Sequence, residues 1–218
     1  MSDKWKIGEM GSKDALVIID GQIDFVVHTG ALYVSGVDGE PSKVNVLLNI
    51  RELDAQPFDY RVTTEDKHPP GHIEFSVFPP HCEEGAPGQK YMDSLQGLYE
   101  RCDENLVKGD DVNIIAYSIA TSEEFANHIG RLRAKGIKRV FVTGWAYTHC
   151  VGESAIAYAS QGFETFVVRD ATRSVAPPYG DPKVMKQKLA LYGVKEVYMA
   201  DMERTDSFLS VAMNNPCQ

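Results

Sequence analysis

Residues 140–151 have the sequence VFVTGWAYTHCV, in which an apolar run leads through Gly144 to a single cysteine, Cys150. The run predicts a buried strand, and the apolar spacing along residues 150–161 predicts a helix that begins at the cysteine. A thiol in the first turn of a helix lies at the positive end of the helix dipole, which favours the thiolate. Free backbone N–H groups there can hold an oxyanion. The pattern suits a nucleophile, and it suits a buried structural cysteine equally well.

The same order of strand and helix recurs along the whole chain. Residues 15–19 form a continuous apolar run, which is typical of a strand buried on both faces. Repeated βαβ units predict a three-layer, Rossmann-like α/β fold, a parallel sheet with helices on both faces. We expect one domain over residues 1–218, because no repeat or composition break marks a linker. Further strands are predicted at 59–64, 105–107, 112–117, 140–143, 165–168 and 197–199, and helices at 44–53, 123–134, 150–161 and 182–191.

Composition excludes several classes of function. The net charge of −9 argues against a surface that binds nucleic acid or an anionic membrane. No apolar run approaches the length of a membrane span, and the first residues lack the apolar core of a signal peptide. The four cysteines show no CxxC spacing, which favours reduced thiols and a cytoplasmic protein. We therefore expect a small-molecule substrate as the partner, with no nucleic acid and no membrane.

The segment 69–97 interrupts the alternation with five prolines and four glycines. An irregular stretch of this length in a compact domain is usually functional. Asp66 and His68 precede it, and side chains two residues apart in an extended chain face the same side. His81 can return to them if the loop folds back. Imidazole and carboxylate groups together suit zinc, iron or manganese, although a set of surface loop residues is the simpler alternative.

Three reactive residues follow predicted strands, namely Asp20, Lys108 and Cys150. In open parallel sheets the active site gathers beyond the carboxyl ends of the strands. Each residue alone is weak evidence, because Asp20 also suits a turn cap and Lys108 a solvated loop. Together they fit a thiol activated by an acid–base partner and a cation. His149 is a less favoured base, because neighbours in a helix do not face one another.

The motifs, taken in order, resemble those of nicotinamidases, which belong to the isochorismatase-like cysteine hydrolase superfamily. The resemblance covers residues 14–200. Its joint set of motifs is far more specific than any single one. The matching motifs are DGQIDF at residues 20–25, DKHP at 66–69, PHC at 80–82, VKG at 107–109 and GWAYTHCV at 144–151.

The resemblance implies a role for each residue of the Cys/Asp/Lys set. Cys150 is the implied nucleophile, Asp20 its proton acceptor and Lys108 the cation that favours the thiolate. The backbone N–H groups of Ala146 and Cys150 are implied to form the oxyanion hole, with a cis peptide bond at Ala146.

The resemblance also implies a metal and a pocket for an aromatic ring. Asp66, His68 and His81 are the implied ligands of one divalent ion, and Glu74 matches the carboxylate that some members add as a fourth ligand. Zn²⁺ is favoured, with Fe²⁺ or Mn²⁺ as alternatives, and the ion is implied to bind the ring nitrogen of the substrate. The aromatic residues expected to pack on that ring are Phe25, Phe78 and Tyr117.

The implied reaction is conversion of nicotinamide to nicotinate and ammonia through a cysteine thioester, in NAD salvage. A metal-free relative that cleaves another small amide or isochorismate is the first alternative, and it leaves the three metal-ligand residues unexplained. A non-catalytic metal- or thiol-binding module is the second, and it leaves Lys108 unexplained. A homo-oligomer is also considered. Trp145 and Tyr147 replace smaller residues usual in the family, and we expect them to narrow the pocket or lie at a subunit contact.

Overall fold

The computed structural model describes residues 13–202, which contain one sheet of six parallel strands. The strands are β1 Asp14–Ile19, β2 Tyr60–Asp66, β3 Glu104–Lys108, β4 Arg139–Trp145, β5 Glu164–Arg173 and β6 Lys195–Val197. They lie in the order β3-β2-β1-β4-β5-β6. The central strand β1 is buried at all six positions, as its apolar run predicts.

Helices cover both faces of this sheet. They are α1 Ile23–Val26, α2 Lys43–Asp54, α3 Asp93–Arg101, α4 Phe125–Ala134, α5 Gly152–Ser160 and α6 Pro182–Leu191. Successive side chains of β1 point into two different cores. Leu16 and Ile18 pack into the core beneath α2 and α3, whereas Val17 and Ile19 pack into the core beneath α4, α5 and α6. The three-layer α/β fold predicted from the sequence is therefore confirmed.

Some predicted boundaries were wrong. The irregular segment 69–97 contains the start of α3, whose residues Leu95 and Leu98 are buried one turn apart. No strand forms at 112–117, where Ile114 and Ile115 are about half exposed. Strand β5 is longer than predicted and β6 begins at Lys195 rather than 197.

The cysteine turn also differs from the prediction. Cys150 lies in a π-helical turn, Tyr147–Val151, and the α-helix begins only at Gly152. Single π turns of this kind often occur at functional sites. None of the helices within residues 13–202 is long and apolar enough to cross a membrane.

Candidate active site

The carboxyl ends of four neighbouring strands bring the predicted reactive residues together. Asp20 directly follows β1, Asp66 ends β2 and Lys108 ends β3, while Cys150 follows β4 by one short turn. Asp66 and Lys108 are direct partners in the register of β2 and β3. Parallel strands end at one edge of the sheet, so residues far apart in sequence converge there.

Lys108 occupies the centre of this group. Its Nζ lies 2.8 Å from Asp20 Oδ2 and 3.5 Å from Cys150 Sγ, and it also forms a short bond to Asp66 Oδ1. One oxygen from each aspartate and Cys150 Sγ all lie within 4.8 Å of one another. Thr64 Oγ1 donates a 2.6 Å hydrogen bond to Asp20 Oδ1, which fixes that carboxylate. The site is buried from bulk water, since Lys108 and Asp20 are at most 1% exposed.

Burial and charge set the protonation of this group. Burial raises the pKa of Asp20, and Lys108 opposes that shift. Burial disfavours charge on Lys108, but Asp20 and Asp66 outweigh it and hold the pKa of Lys108 well above its usual range. Burial also raises the pKa of the Cys150 thiol well above its ordinary value, and Lys108 offsets only part of this. Burial and the nearby carboxylates therefore oppose the thiolate that the helix position favours, and Lys108 is the group that supports it.

A cluster of potential metal ligands adjoins the group. His68 Nε2 lies 3.8 Å from Asp66 Oδ2 and 4.0 Å from Glu74 Oε2, and His81 Nε2 lies 4.0 Å from the same Glu74 oxygen. Asp66, His68 and His81 each offer a ligand atom within 4.8 Å of the others. The sequence-predicted ligand residues thus lie together, with Glu74 beside them.

The hydrogen bonds of the two imidazoles suit metal binding. His68 Nδ1 donates to the Gly109 carbonyl at 3.0 Å, and His81 Nδ1 donates to the Pro79 carbonyl at 2.8 Å. Both Nε2 atoms therefore face the cluster, and His68 Nε2 is buried without a hydrogen-bond partner. Histidine ligands of metals usually donate their other ring N–H to a carbonyl or carboxylate. The donor set fits a divalent ion such as zinc.

Burial keeps these imidazoles in the neutral form that a ligand requires. It lowers the pKa of His68 to about 3 and also lowers the pKa of His81. Burial raises the pKa of Glu74 to about 7, with Asp66 adding to the shift. His72 Nδ1 accepts a 3.3 Å hydrogen bond from the Glu74 backbone N–H, while its Nε2 is buried without a hydrogen-bond partner, and His72 forms a second group of potential ligands with His68 and Glu74.

Two residues of the 20–25 motif hold the ligands in place, and sequence reasoning assigned them no role. The amide of Gln22 bonds both backbone groups of Asp66, donating to its carbonyl at 2.6 Å and accepting from its N–H at 2.8 Å. Asp24 Oδ2 accepts a 2.8 Å hydrogen bond from the backbone N–H of Cys82, next to His81. The only local signal was two polar residues in an otherwise apolar window after a strand.

A pocket opens beside Cys150 and the ligand cluster. Its empty space, including the open mouth, is about 360 Å³. The three predicted ring-packing residues all lie on its wall, together with Ala146 and Cys150 of the predicted oxyanion hole. His149 also lines the pocket, where its ring meets those of Phe78 and Tyr117. The lining residues are Phe25, Leu32, Val34, Asp66, Glu74, Phe78, His81, Tyr117, Ala146, His149, Cys150 and Val175.

The peptide bond between Trp145 and Ala146 is cis, as the family resemblance implied. The expectation for Trp145 and Tyr147 was wrong, because both are 1% exposed and neither lines the pocket. Trp145 packs into the core on the α2 face of the sheet. The hydroxyl of Tyr147 donates a 2.8 Å hydrogen bond to Glu196. Side chains so fully covered by their own chain cannot lie at a subunit contact.

Comparison with known proteins gives one consistent family. The isochorismatase domain model matches residues 14–188. The nicotinamidase of Schizosaccharomyces pombe is 29% identical over 197 residues, an alignment that covers 75% of this chain and 84% of that protein.

Two solved structures share the fold. PnC1 from L. infantum, solved in complex with nicotinate, matches with a TM-score of 0.79 and 28% identity, covering 91% of this chain and 99% of the other. The pyrazinamidase of Pyrococcus horikoshii, solved in complex with zinc, matches with a TM-score of 0.67 and 30% identity, covering 86% and 99%. By sequence and structure together, the chain belongs to the isochorismatase domain family, in the branch that contains the nicotinamidases.

Proposed function

We propose that the protein is a metal-dependent nicotinamide amidohydrolase, which converts nicotinamide to nicotinate and ammonia. The carrying observation is the position of Lys108, whose Nζ lies 2.8 Å from Asp20 and 3.5 Å from Cys150, a residue that lines the pocket together with Phe25, Phe78 and Tyr117. The named activity of the Schizosaccharomyces pombe relative and the nicotinate bound to PnC1 support this substrate.

The first half of the reaction uses Asp20 and Cys150. Asp20 takes the thiol proton, which its raised pKa favours, and Lys108 stabilises the thiolate that forms. The sulfur attacks the carboxamide carbon, and the backbone N–H groups of Ala146 and Cys150 hold the oxyanion. Asp20 returns the proton to the amide nitrogen, the C–N bond breaks and ammonia leaves.

The second half releases the acid. The acyl group is now a thioester on Cys150, and Asp20 takes a proton from a water molecule that attacks its carbonyl carbon. The C–S bond breaks, Asp20 passes the proton to the leaving sulfur and so restores the thiol, and the acid departs as nicotinate after releasing its own proton to water. Phe25, Phe78 and Tyr117 hold the ring on the pocket wall through both halves.

Asp66, His68 and His81 would hold the metal, with Glu74 as a fourth ligand. When bound, the ion supplies a coordination position that orients the ring nitrogen of the substrate. Zinc is our first choice, supported by the zinc complex of the Pyrococcus horikoshii relative, with Fe²⁺ or Mn²⁺ as alternatives. A role in NAD salvage, a cytoplasmic location, a single domain over residues 1–218 and assembly into a homo-oligomer stay predictions.

Ammonia release from three amides tests this proposal. Nicotinamide and pyrazinamide have a ring nitrogen meta to the carboxamide, whereas benzamide has none. A site built around one coordination bond rejects the analogue that lacks it. We expect the zinc-loaded protein to cleave the first two and to leave benzamide almost uncleaved, and we expect stripping with a chelator to abolish the difference along with most of the activity.

The alternatives give different results. Equal cleavage of benzamide and nicotinamide, unaffected by the chelator, would indicate a metal-free hydrolase of the same family. Zinc binding without ammonia release from any amide would indicate a binding module.

A further inference from the structure

The loop that joins α1 to α2 supplies part of the pocket wall. Leu32 and Val34 line the pocket from this loop, and Val175, just after β5, lines it from the other side. The loop has no strand or helix of its own between Val26 and Lys43. Backbone hydrogen bonds from the Leu32 N–H to the Asp24 carbonyl at 3.2 Å and from the Val34 N–H to the Phe25 carbonyl at 3.0 Å hold the first part of the loop to α1. The part of the loop after Val34 depends on side-chain contacts with the rest of the molecule.

Glu40 holds the end of this loop to the residues after β5. Its carboxylate accepts hydrogen bonds from the Ser174 backbone at 2.9 Å, from Ser174 Oγ at 2.5 Å and from Arg169 Nη2 at 2.6 Å. It also accepts a 3.1 Å bond from the Val37 backbone within the loop. The side chain of Glu40 is only 5% exposed, and a buried carboxylate is stable only when it is fully bonded in this way.

Arg169 connects this anchor to the turn that carries Cys150. Its guanidinium carbon lies 3.8 Å from the centre of the Tyr147 ring, and Tyr147 is the first residue of the π-helical turn. Glu196 contacts both residues. Its Oε1 accepts a 2.8 Å hydrogen bond from the Tyr147 hydroxyl and lies 3.4 Å from Arg169 Nε. Arg169 is mostly buried, so this cation–π contact is shielded from water.

We propose that Glu40, Arg169 and Tyr147 form a positioning network that fixes the apolar wall of the substrate pocket relative to the nucleophile. The inference rests on the proposed function, because the substrate held between wall and nucleophile is the aromatic amide. None of the three residues lines the pocket. They act through Leu32, Val34 and the cysteine turn.

The physical basis is the sensitivity of the reaction rate to the position of the substrate relative to the nucleophile. A shift of about 1 Å between a bound amide and its nucleophile costs about a hundredfold in rate. Glu40 positions the wall that holds the amide, and Tyr147 positions the turn that carries the Cys150 sulfur, so the two residues together set the distance between amide and sulfur. Loss of the Glu40 anchor loosens the loop after Val34 from the residues that follow β5, which shifts the wall and weakens substrate binding. Loss of the Tyr147 hydroxyl loosens the turn that carries Cys150 and slows the attack.

The test uses Glu40→Gln, Tyr147→Phe and the double variant in the zinc-loaded protein, with Asp54→Asn as the matched control. Asp54 is also a buried carboxylate bonded to an arginine, with its Oδ1 3.0 Å from Arg61 Nε, but it does not line the pocket. Four quantities are measured: kcat and KM for nicotinamide, Tm, zinc content and the rate at which iodoacetamide labels Cys150.

We expect Glu40→Gln to raise KM about tenfold with little change in kcat, and Tyr147→Phe to lower kcat about tenfold with little change in KM. The double variant should lose less in kcat/KM than the product of the single losses, because Arg169 links the two sites. Both single variants should alter the labelling rate of Cys150. Asp54→Asn should lower Tm but leave KM, kcat and labelling unchanged.

The network is refuted if the Glu40 and Tyr147 variants behave like the control, or if their losses multiply independently. Tyr147→Phe keeps the ring, so it remains informative if Glu40→Gln does not fold. If the wild-type protein releases no ammonia from any amide, the proposed function fails. The rates of Cys150 labelling then still test whether the network exists, because labelling does not require turnover of a substrate.

Discussion

Lys108 is a buried lysine held by two carboxylates and a thiol. Burying a charge is costly unless partners compensate it, and here Asp20 and Asp66 supply two negative charges. Removing one partner leaves the others buried and uncompensated. The residues of such a site should therefore act as a unit, and this governs how their substitutions combine.

We expect Cys150→Ala to fold and to lose at least about a thousandfold in turnover, because it removes a covalent nucleophile. The measurement is ammonia release from nicotinamide, with circular dichroism to verify folding. Cys102→Ala is the control, since Cys102 bonds Thr63 and Asn105 and does not line the pocket. Substantial activity in Cys150→Ala would exclude the covalent mechanism.

Asp20→Asn and Lys108→Ala should each reduce kcat/KM strongly, and the double variant should lose far less than the product of the two. The reason is that either change leaves the Cys150 thiol without proton transfer or charge stabilisation. A double-mutant cycle on nicotinamide turnover measures this. Losses that simply multiply would show that the two side chains act independently.

At the scale of elements, the ligand cluster depends on how strand ends are held. The Gln22 side chain forms hydrogen bonds with both the backbone N–H and the backbone carbonyl of Asp66. A side chain that follows β1 therefore supplies, at the end of β2, the hydrogen bonds that a neighbouring strand would otherwise make. Gly109, just past β3, has φ +78°, and a Cβ there would lie 2.5 Å from the His68 ring. The absence of a side chain at Gly109 therefore leaves room for the imidazole of His68.

Gln22→Ala should weaken zinc affinity about 10- to 100-fold, the usual cost of removing a group that positions a ligand. Competition with a chromophoric chelator measures the affinity. Gln56→Ala is the matched control, a buried glutamine that bonds the Glu52 carbonyl at 3.3 Å away from the cluster. Unchanged zinc affinity in Gln22→Ala would contradict the positioning role.

At the scale of the whole molecule, a second cluster of buried polar side chains lies at the amino end of β3, on the opposite side of the sheet from the carboxyl ends that carry the candidate site. Glu104 accepts hydrogen bonds from His128 at 2.7 Å, from the Tyr60 hydroxyl at 3.1 Å and from Arg131. His128 Nε2 bonds the hydroxyl of Tyr158 at 2.8 Å. The group ties β2, β3, α4 and α5 together, and nothing in it touches the pocket.

This network predicts a loss of stability in acid. Burial alone would raise the pKa of Glu104, but the bonds from His128 and Arg131 lower it to about 2. A carboxylate with a depressed folded pKa stabilises the fold above its ordinary value of 4.5, and the stabilisation disappears as pH falls toward about 2. The free energy of unfolding of the wild type should exceed that of Glu104→Gln at pH 7, and the difference should shrink below pH 4.5.

Urea unfolding at several pH values measures this difference. Glu164→Gln is the control, because Glu164 is about half exposed and pairs with Lys195 at the surface, where ion pairs contribute little. A difference between wild type and Glu104→Gln that stays constant down to pH 3 would show that Glu104 is not the responsible group.

The sequence by itself determined the parallel α/β sheet and the placement of Asp20, Lys108 and Cys150 after its strands. The run at 15–19 is apolar at every position, so it had to be a strand covered on both faces, and its continuation placed Asp20 at the carboxyl edge. The position of Lys108 and Cys150 after other strands followed from the same rule. Local composition carries this information, because strand burial and strand ends are visible within a few residues.

Only the tertiary structure decided how these residues are held and protonated. Gln22 meets Asp66 across 44 residues, and Glu40 meets Ser174 across 134. Contacts of this kind depend on sheet register and on loop paths, which no local pattern specifies. The burial that raises the pKa of Cys150 likewise comes from the packed neighbours of the thiol rather than from its own turn. Sequence pattern selects the chemistry, whereas long-range packing sets its geometry and its electrostatics, because both depend on groups that are distant along the chain.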